Sequence, residues 1–349
     1  MTRTPAEWEP HEATWIAWPH NRADWPGKFG PIPWVYAEIV RNLARHERVD
    51  LIVNGTAAEK RASAILEKAD ALSENVRFHH WRSDRVWTRD SGCIFLVPQS
   101  EGDNSELWAL HFQFNAWAKY PNYAHDETIG ERMAKAAGAR RVTPFSKRHR
   151  VVLEGGSIDV NGCGTLLTTE ECLLSTTQQR NPSMDRVDYD QMFADYFGVQ
   201  SVIWLDSGIA GDDTHGHVDD ISRFVGPNTV LTMIETNESS ENYAPLRANL
   251  GRLKNARTSD GKKLEIVEMP LPRPLIFEGR QLPASYANFY IANGAVLVPV
   301  FNDPNDRVAL NTLAALFPTR EIVPIYCGDL IWGFGALHCM TQQQPAIRG

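Results

Sequence analysis

Three strand-like runs recur along the chain at nearly equal spacing: LLTT from Leu166, VLTM from Val230 and VLVP from Val296, 64 and then 66 residues apart. Each follows a turn-prone group, Asn161-Gly162 with Gly164, Gly226-Pro227-Asn228, and Asn293-Gly294, residue types that punctuate a chain because they tolerate or fix unusual φ. A period near 65 fits about five units into 349 residues, and such repeats constrain architecture strongly because each unit buries its apolar face on its neighbours. Between the runs lie other elements. VDLIVNG at 49–55 reads as a strand and turn, while 57–76, 127–139 and 307–319 carry the apolar spacing and charged filling of helices. The fold class is therefore α/β. Repeated α/β units around a centre, whose loops can converge on one site, and a doubly wound sheet both satisfy this alternation.

Composition bears on partners. The chain holds 43 Asp and Glu against 35 Lys and Arg, a formal charge of −8, which argues against broad polyanion binding and so against nucleic acid. The start, MTRTPAEWEPHEATWIAWPH, lacks the basic-then-apolar pattern of a secretory signal, and the apolar stretches are strand-sized, so neither export nor a membrane span is expected. Cys93, Cys163, Cys172, Cys327 and Cys339 form no CxxC pair, which suits a reducing cytoplasm. At 43% apolar the chain can bury a large core. No long Pro/Ser linker divides it, and a single catalytic domain over residues 1–349 is the expectation. Most of the 11 tryptophans serve as packing or cleft wall on this reading, and WGFGALHC at 332–339 is not a phosphate-binding loop.

Four segments concentrate chemistry: VWTRDSG at 86–92, LEGGSIDVNG at 153–162, GDDTHGHVDD at 211–220 and GALHCMTQQQP at 335–345. The third, with His215, His217, Asp212, Asp213, Asp219 and Asp220, raises metal coordination, and His217 and Asp219 would share a face of an extended strand. Yet it has neither an HExxH helix nor a Cys/His ladder nor a calcium-loop pattern, and a solvated turn accounts for it equally. Cys339 reads as either an inert core residue or a nucleophile; His217, on a distant loop, suits it as a partner better than the adjacent His338. Asp90 and Asp219, on separate loops, can grip the fork of N–H donors of a planar guanidinium. Glu154 can support His217 or accept a further guanidinium N–H.

Taken in order, PAEWEPHEATWIAWPH and DWPG near the amino end, VWTRDSG, EGGSIDVNG, GHVDD and HCMTQQQP resemble the agmatine deiminase family within the guanidine-modifying (amidinotransferase/deiminase) superfamily, with similarity also to bacterial peptidyl-arginine deiminases. The resemblance covers nearly the whole chain. It implies a five-bladed α/β propeller, a cytoplasmic homo-oligomer, a role in putrescine and polyamine biosynthesis, and hydrolysis of agmatine to N-carbamoylputrescine and ammonia with no cofactor and no metal. It also implies roles: Cys339 as nucleophile, His217 as acid–base, Glu154 as its supporting acid, Asp90 and Asp219 as guanidinium-binding carboxylates, and Trp87 as an aromatic wall beside a small cationic guanidino substrate. The chain departs from the family at GHVDD, where Asn usually follows the second clamp Asp, and at WGFGALHC, where GGNIHC is usual. Both departures bear on substrate choice, which leaves another guanidino compound or a peptidyl arginine as the alternative.

Overall fold

The structure is a computed structural model that describes residues 2–99 and 106–347. One motif is built five times among them: a strand antiparallel to a second, which runs through a helix into a third strand parallel to the second. The clearest copies are Asp159–Val160, Thr165–Thr169 and Ser201–Leu205; Ser222–Phe224, Thr229–Ile234 and Glu265–Pro270; and Tyr290–Ile291, Ala295–Val300 and Glu321–Tyr326. The helices Arg186–Phe197, Tyr243–Asn255 and Asp306–Leu316 make their crossovers. A fourth copy joins Ile94–Pro98, Trp108–Leu110 and Arg140–Val142 through Ile129–Ala136. In the fifth, Thr341–Pro345 pairs antiparallel with His11–Ala17, which pairs parallel with Arg48–Val53, so strands from opposite ends of the described chain share a sheet. The result is a mixed α/β fold of several separate sheets, with no closed barrel among the described residues.

The repeated runs LLTT, VLTM and VLVP fall on the middle strands of the first three sheets named. Those strands are almost wholly buried, Ala295–Val300 at every position but its last; flanked by a strand on each edge and a helix above, a middle strand has no wet face and reads as an unbroken apolar run. The helix expected over 57–76 is shorter, Thr56–Lys68. Its pattern of charges continues past the end, but Asp70 adopts φ 53°, which stops the helix, and Val76 already belongs to the strand Val76–His80. The helices expected over 127–139 and 307–319 are observed as Ile129–Ala136 and Asp306–Leu316. No helix among the described residues is long and apolar enough to cross a membrane.

A buried ion cluster ties the units together. Arg223, 1% exposed, donates to Asp159 Oδ2 at 2.6 Å and to the carbonyls of Ala287 and Phe289 at 3.3 and 2.9 Å, and its other amino group lies 2.9 Å from Glu7 Oε1. Glu7 also accepts from Arg89 at 3.2 Å and from the amide of Ile291 at 2.9 Å. Burial alone would push the Glu7 carboxyl up, but Arg223, His338 and Arg89 overcome it and hold the group well below the ordinary range. One amino-terminal side chain thus joins the sheets of Ser222–Phe224 and Tyr290–Ile291 to the short helix Thr88–Ser91. Removing the central cation leaves buried Asp159 without a cationic partner and Glu7 with only Arg89 and His338, so Arg223→Met is expected to lower unfolding free energy by roughly 3–5 kcal/mol. Urea unfolding followed by circular dichroism measures this, and an unchanged midpoint would mean that the cluster is dispensable.

Candidate active site

The turns that precede the first strand of each motif converge. Asp90 lies on Thr88–Ser91 ahead of Ile94–Pro98, and Glu154 immediately before Gly155–Ser157 ahead of Asp159–Val160. Asp219 lies on Val218–Asp220 ahead of Ser222–Phe224, Asn288 on Tyr286–Asn288 ahead of Tyr290–Ile291, and Cys339 just ahead of Thr341–Pro345. Each unit supplies one piece from the same topological position. The segment carrying His217 and Asp219 is not the extended strand that their spacing suggests: His217 caps a tight turn, and the loop before it is shaped by Asp212, whose carboxylate accepts the amides of Thr214, Gly216 and His217.

Gly156 marks the centre of the cluster. A Cβ there would stand 2.6 Å from His217 Nδ1, 3.0 Å from Asp219 Oδ2 and 3.1 Å from Asp90 Oδ1, so the convergence of these three groups requires a residue without a side chain. Gly335 does the same above, where a Cβ would meet the Trp87 ring at 2.7 Å and Cys339 Cβ at 3.1 Å. A cavity of about 430 Å³ opens over this base, lined by Trp87, Asp90, Trp117, Trp332, Phe334 and Cys339 among others. His217, Glu154 and Asp219 lie behind the lining, fully buried.

Hydrogen bonds orient each group. Asp90 accepts from the Gly156 amide at 3.1 Å and from Trp117 Nε1 at 2.9 Å. Asp219 Oδ2 lies 2.7 Å from His338 Nδ1 and 3.7 Å from Cys339 Sγ, and its Oδ1 has no partner. His338 turns its other nitrogen to Glu7 at 2.9 Å, which links the active-site floor to the ion cluster beneath. Glu154 Oε1 accepts from Arg180 Nε at 3.1 Å, and Oε2 faces His217 Nε2 at 3.6 Å. Among the described residues no hydrogen bond joins His217 to Cys339, the pairing that the sequence favours. Asn288 contacts the thiol instead: its Nδ2 donates to Cys339 Sγ at 3.1 Å and to Asp220 Oδ1 at 2.9 Å.

Crowded carboxylates set the electrostatics. Burial, with Asp219 and Glu154 adding to it against the pull of His217, pushes Asp90 up to about 6. Burial works against the Glu154 charge too, yet Arg180 and His217 bring it down to about 2. His217 loses solvation on burial, but Asp90, Cys172 and Glu154 more than compensate and hold it well above the ordinary imidazole range. The Cys339 thiol is driven well above its usual value by burial and by Asp219, Asp220 and Asp90. The base of the cavity is thus an anionic pocket around a protonated thiol, and a flat cation entering it satisfies Asp219 Oδ1 while favouring the thiolate.

Trp87, Asp90, Glu154, His217, Asp219 and Cys339, all singled out in the sequence, meet here. His215 does not: its backbone is left-handed at φ 64° and its ring reaches Ser175 at 3.1 Å. Sequence reasoning missed Asn288, Trp117, Arg180 and Cys172. Asn288 had a signal, since it precedes the run at Val296 by eight residues, much as Asp219 precedes the run at Val230 by 11. Trp117 had none, because its indole reaches Asp90 through three consecutive left-handed residues, Ala116, Trp117 and Ala118, at φ 51°, 60° and 52°. Among the described residues two groups have donor atoms close enough to hold a metal ion, Glu154 with Cys172 and His217, and Asp219 with Asp220 and Cys339.

The fold is of the same class as that of SxtG, an amidinotransferase from Microseira wollei, at 12% identity and a TM-score of 0.51, covering 100% of this chain and 99% of that one. Within that class the chain belongs to the Porphyromonas-type peptidyl-arginine deiminase family, whose model matches residues 3–345. It is 35% identical to the agmatine deiminase of Pseudomonas aeruginosa over 99% of this chain and 96% of that one. A substrate-bound agmatine deiminase of C. jejuni superposes with a TM-score of 0.86 at 31% identity, covering 100% of this chain and 97% of the other.

The crowding at Gly156 yields a direct test. Gly156→Ala forces apart His217, Asp90 and Asp219, and a displacement of that size is expected to lower kcat/KM by about a hundredfold while the protein stays folded. Kinetics beside a thermal melt measure both; a folded variant with full activity would show that the three groups need not meet at this point.

Proposed function

We propose that this chain is an agmatine deiminase, a hydrolase that converts agmatine and water to N-carbamoylputrescine and ammonia, formed by a single catalytic domain whose five units make a five-bladed α/β propeller. The observation that carries the reading is the meeting of two carboxylates, Asp90 and Asp219, with a thiol 3.7 Å from the second at the floor of one cavity. Full-length likeness to agmatine deiminases supports the choice of substrate. So does a cavity of about 430 Å³, of the size that encloses a small molecule. Its rim carries Asp24, whose Oδ2 has no hydrogen-bond partner and is open to a distal ammonium, beside Asp213, which Lys119, Tyr120 and Arg280 already hold. Cytoplasmic location, homo-oligomeric assembly and a place in putrescine formation belong to the same proposal and rest on the family likeness.

In this mechanism Asp90 and Asp219 hold the guanidinium while Trp87 walls the cavity beside it. The arriving cation lowers the cost of a thiolate, and the Cys339 thiol proton leaves to solvent. Sulfur attacks the guanidinium carbon, His217 gives its proton to the departing nitrogen, and ammonia leaves a thiouronium. Glu154, anchored by Arg180, keeps the histidine charged until that moment. The now neutral His217 takes a proton from water, the hydroxide adds to the same carbon, and collapse of the tetrahedral adduct expels the thiolate, the hydroxyl proton passing to solvent, and frees the ureido product. No step in this sequence calls for a metal or an organic cofactor.

Steady-state assay against agmatine, free arginine, guanidinopropionate and an arginyl peptide, with product identification, tests the reading. Agmatine is expected to be preferred; preference for the peptide would make the chain a peptidyl-arginine deiminase with the same chemistry. Cys339→Ser should reduce turnover to background, and a trapped adduct should sit on Cys339 alone among the cysteines. Normal turnover by that variant would remove the nucleophile from the scheme.

A pH profile gives a second test. Asp90 is the gripping anion only above its pKa of about 6, so kcat/KM is expected to fall as pH drops through that value and the carboxyl takes a proton. Asp90→Asn removes the charge at every pH and should lose roughly 1.5–3 kcal/mol of binding and transition-state stabilisation, with the limb near pH 6 gone. A limb that persists unchanged in the variant assigns the titration to another group.

A further inference from the structure

Cys172 takes no part in the chemistry above, yet its thiol stands against the acid–base pair. It lies on the short helix Glu170–Leu174, whose cap Thr169 accepts the Cys172 amide at 3.0 Å and donates to the carbonyl of Gly216 at 2.5 Å, which ties this helix to the residue before His217. Donor atoms of Cys172, His217 and Glu154 all lie within 4.8 Å of one another and all three residues are buried. Glu154 Oε2 and His217 Nε2, 3.6 Å apart, have no hydrogen-bond partner. Buried polar atoms without a hydrogen-bond partner are costly, so this corner has unspent capacity for a ligand.

We infer that Glu154, Cys172 and His217 form a three-ligand site for a divalent borderline cation, zinc above others, whose binding switches the enzyme off. One sulfur, one imidazole nitrogen and one carboxylate oxygen are the donors that zinc takes, at about 2.3, 2.0–2.1 and 2.0–2.2 Å. Around a tetrahedral ion these lengths set ligand-to-ligand spacings of roughly 3.3–3.8 Å. The 3.6 Å between Nε2 and Oε2 already matches, and the thiol has only to close in. On binding, the Cys172 S–H and His217 Nε2–H bonds break, both protons pass to solvent, and the sulfur and Nε2 lone pairs go to the metal. Thiolate and carboxylate then neutralise the dication, and the fourth position is left to water. The other group is a poorer site, since Asp219 Oδ2 is engaged by His338 and both Asp220 Oδ1 and Cys339 Sγ by Asn288.

Inhibition rests on the proposed role of His217, whereas metal binding does not, and the test separates the two. Metal-free protein is titrated with Co²⁺, whose thiolate charge-transfer band reports a bound sulfur, and the cobalt is then displaced by Zn²⁺. One cobalt per chain with the band is expected in the wild type and in Cys339→Ser, and no band in Cys172→Ser. Chelated wild type should turn over agmatine, zinc should inhibit it over the range in which it displaces cobalt, and Cys172→Ser should need about tenfold or more additional zinc relative to its own zinc-free rate. Should Cys172→Ser fail to fold, zinc X-ray absorption on the wild type and Cys339→Ser decides, with one sulfur at about 2.3 Å expected in both. A band or sulfur shell that vanishes in Cys339→Ser, or no saturable binding at all, overturns the site; if agmatine is not turned over, the cobalt band still judges it.

Discussion

Four carboxylates, Asp90, Glu154, Asp219 and Asp220, are packed out of water around one point, and their mutual repulsion is the constraint that the rest of this structure answers. Each is matched differently. Glu154 has Arg180, Asp219 has His338, Asp220 shares Asn288 with the thiol, and Asp90 accepts hydrogen bonds from two neutral donors, the Gly156 amide and the Trp117 indole, with His217 Nδ1 4.0 Å away. Asp90 is accordingly the one left with an intermediate affinity for a proton and the most to gain from an incoming cation. Gly156 and Gly335 keep side chains out of the space between these groups, and Arg223 and Glu7 anchor the floor below. A pocket this short of positive charge selects its ligand by sign before shape enters.

How much of this could be read from the chain follows from which interactions are local. The repeat showed itself because a middle strand, dry on both sides, must be apolar along its length, and Thr165–Thr169, Thr229–Ile234 and Ala295–Val300 are such strands. Asp90, Glu154, His217, Asp219 and Cys339 were legible because reactive types cluster with glycines in short turns. Arg180 and Trp117 were not, because each meets its carboxylate through a fold contact between distant segments with no spacing rule. The overlong helix at 57–76 has a similar cause: charge pattern persists past Lys68, whereas the stop at Asp70 depends on a backbone angle that composition does not encode.

Strain gathers where the site is most exacting. Ala116, Trp117 and Ala118 all occupy the left-handed region, which costs a side-chain-bearing residue about 1–2 kcal/mol each, and their reward is a single indole N–H aimed at Asp90. Phe334, also left-handed at φ 66°, lies between Gly333 and Gly335 in the cavity wall. Such conformations persist only where the surrounding packing leaves no alternative; here aromatic contacts of Trp117 with Phe114 and Tyr120 supply that packing.

The sheet shared by strands distant in the sequence also sets an order in time. His11–Ala17 is made well before its antiparallel neighbour Thr341–Pro345, and Cys339 sits two residues ahead of that neighbour. Until the late strand zips onto the early one, the thiol has no fixed position and His11–Ala17 keeps an open edge. A ribosome can therefore deliver every carboxylate of the pocket in order while the Cys339 thiol is still to come. The thiol is placed by the same event that completes this sheet, and a partly made chain carries the charge of the site without it.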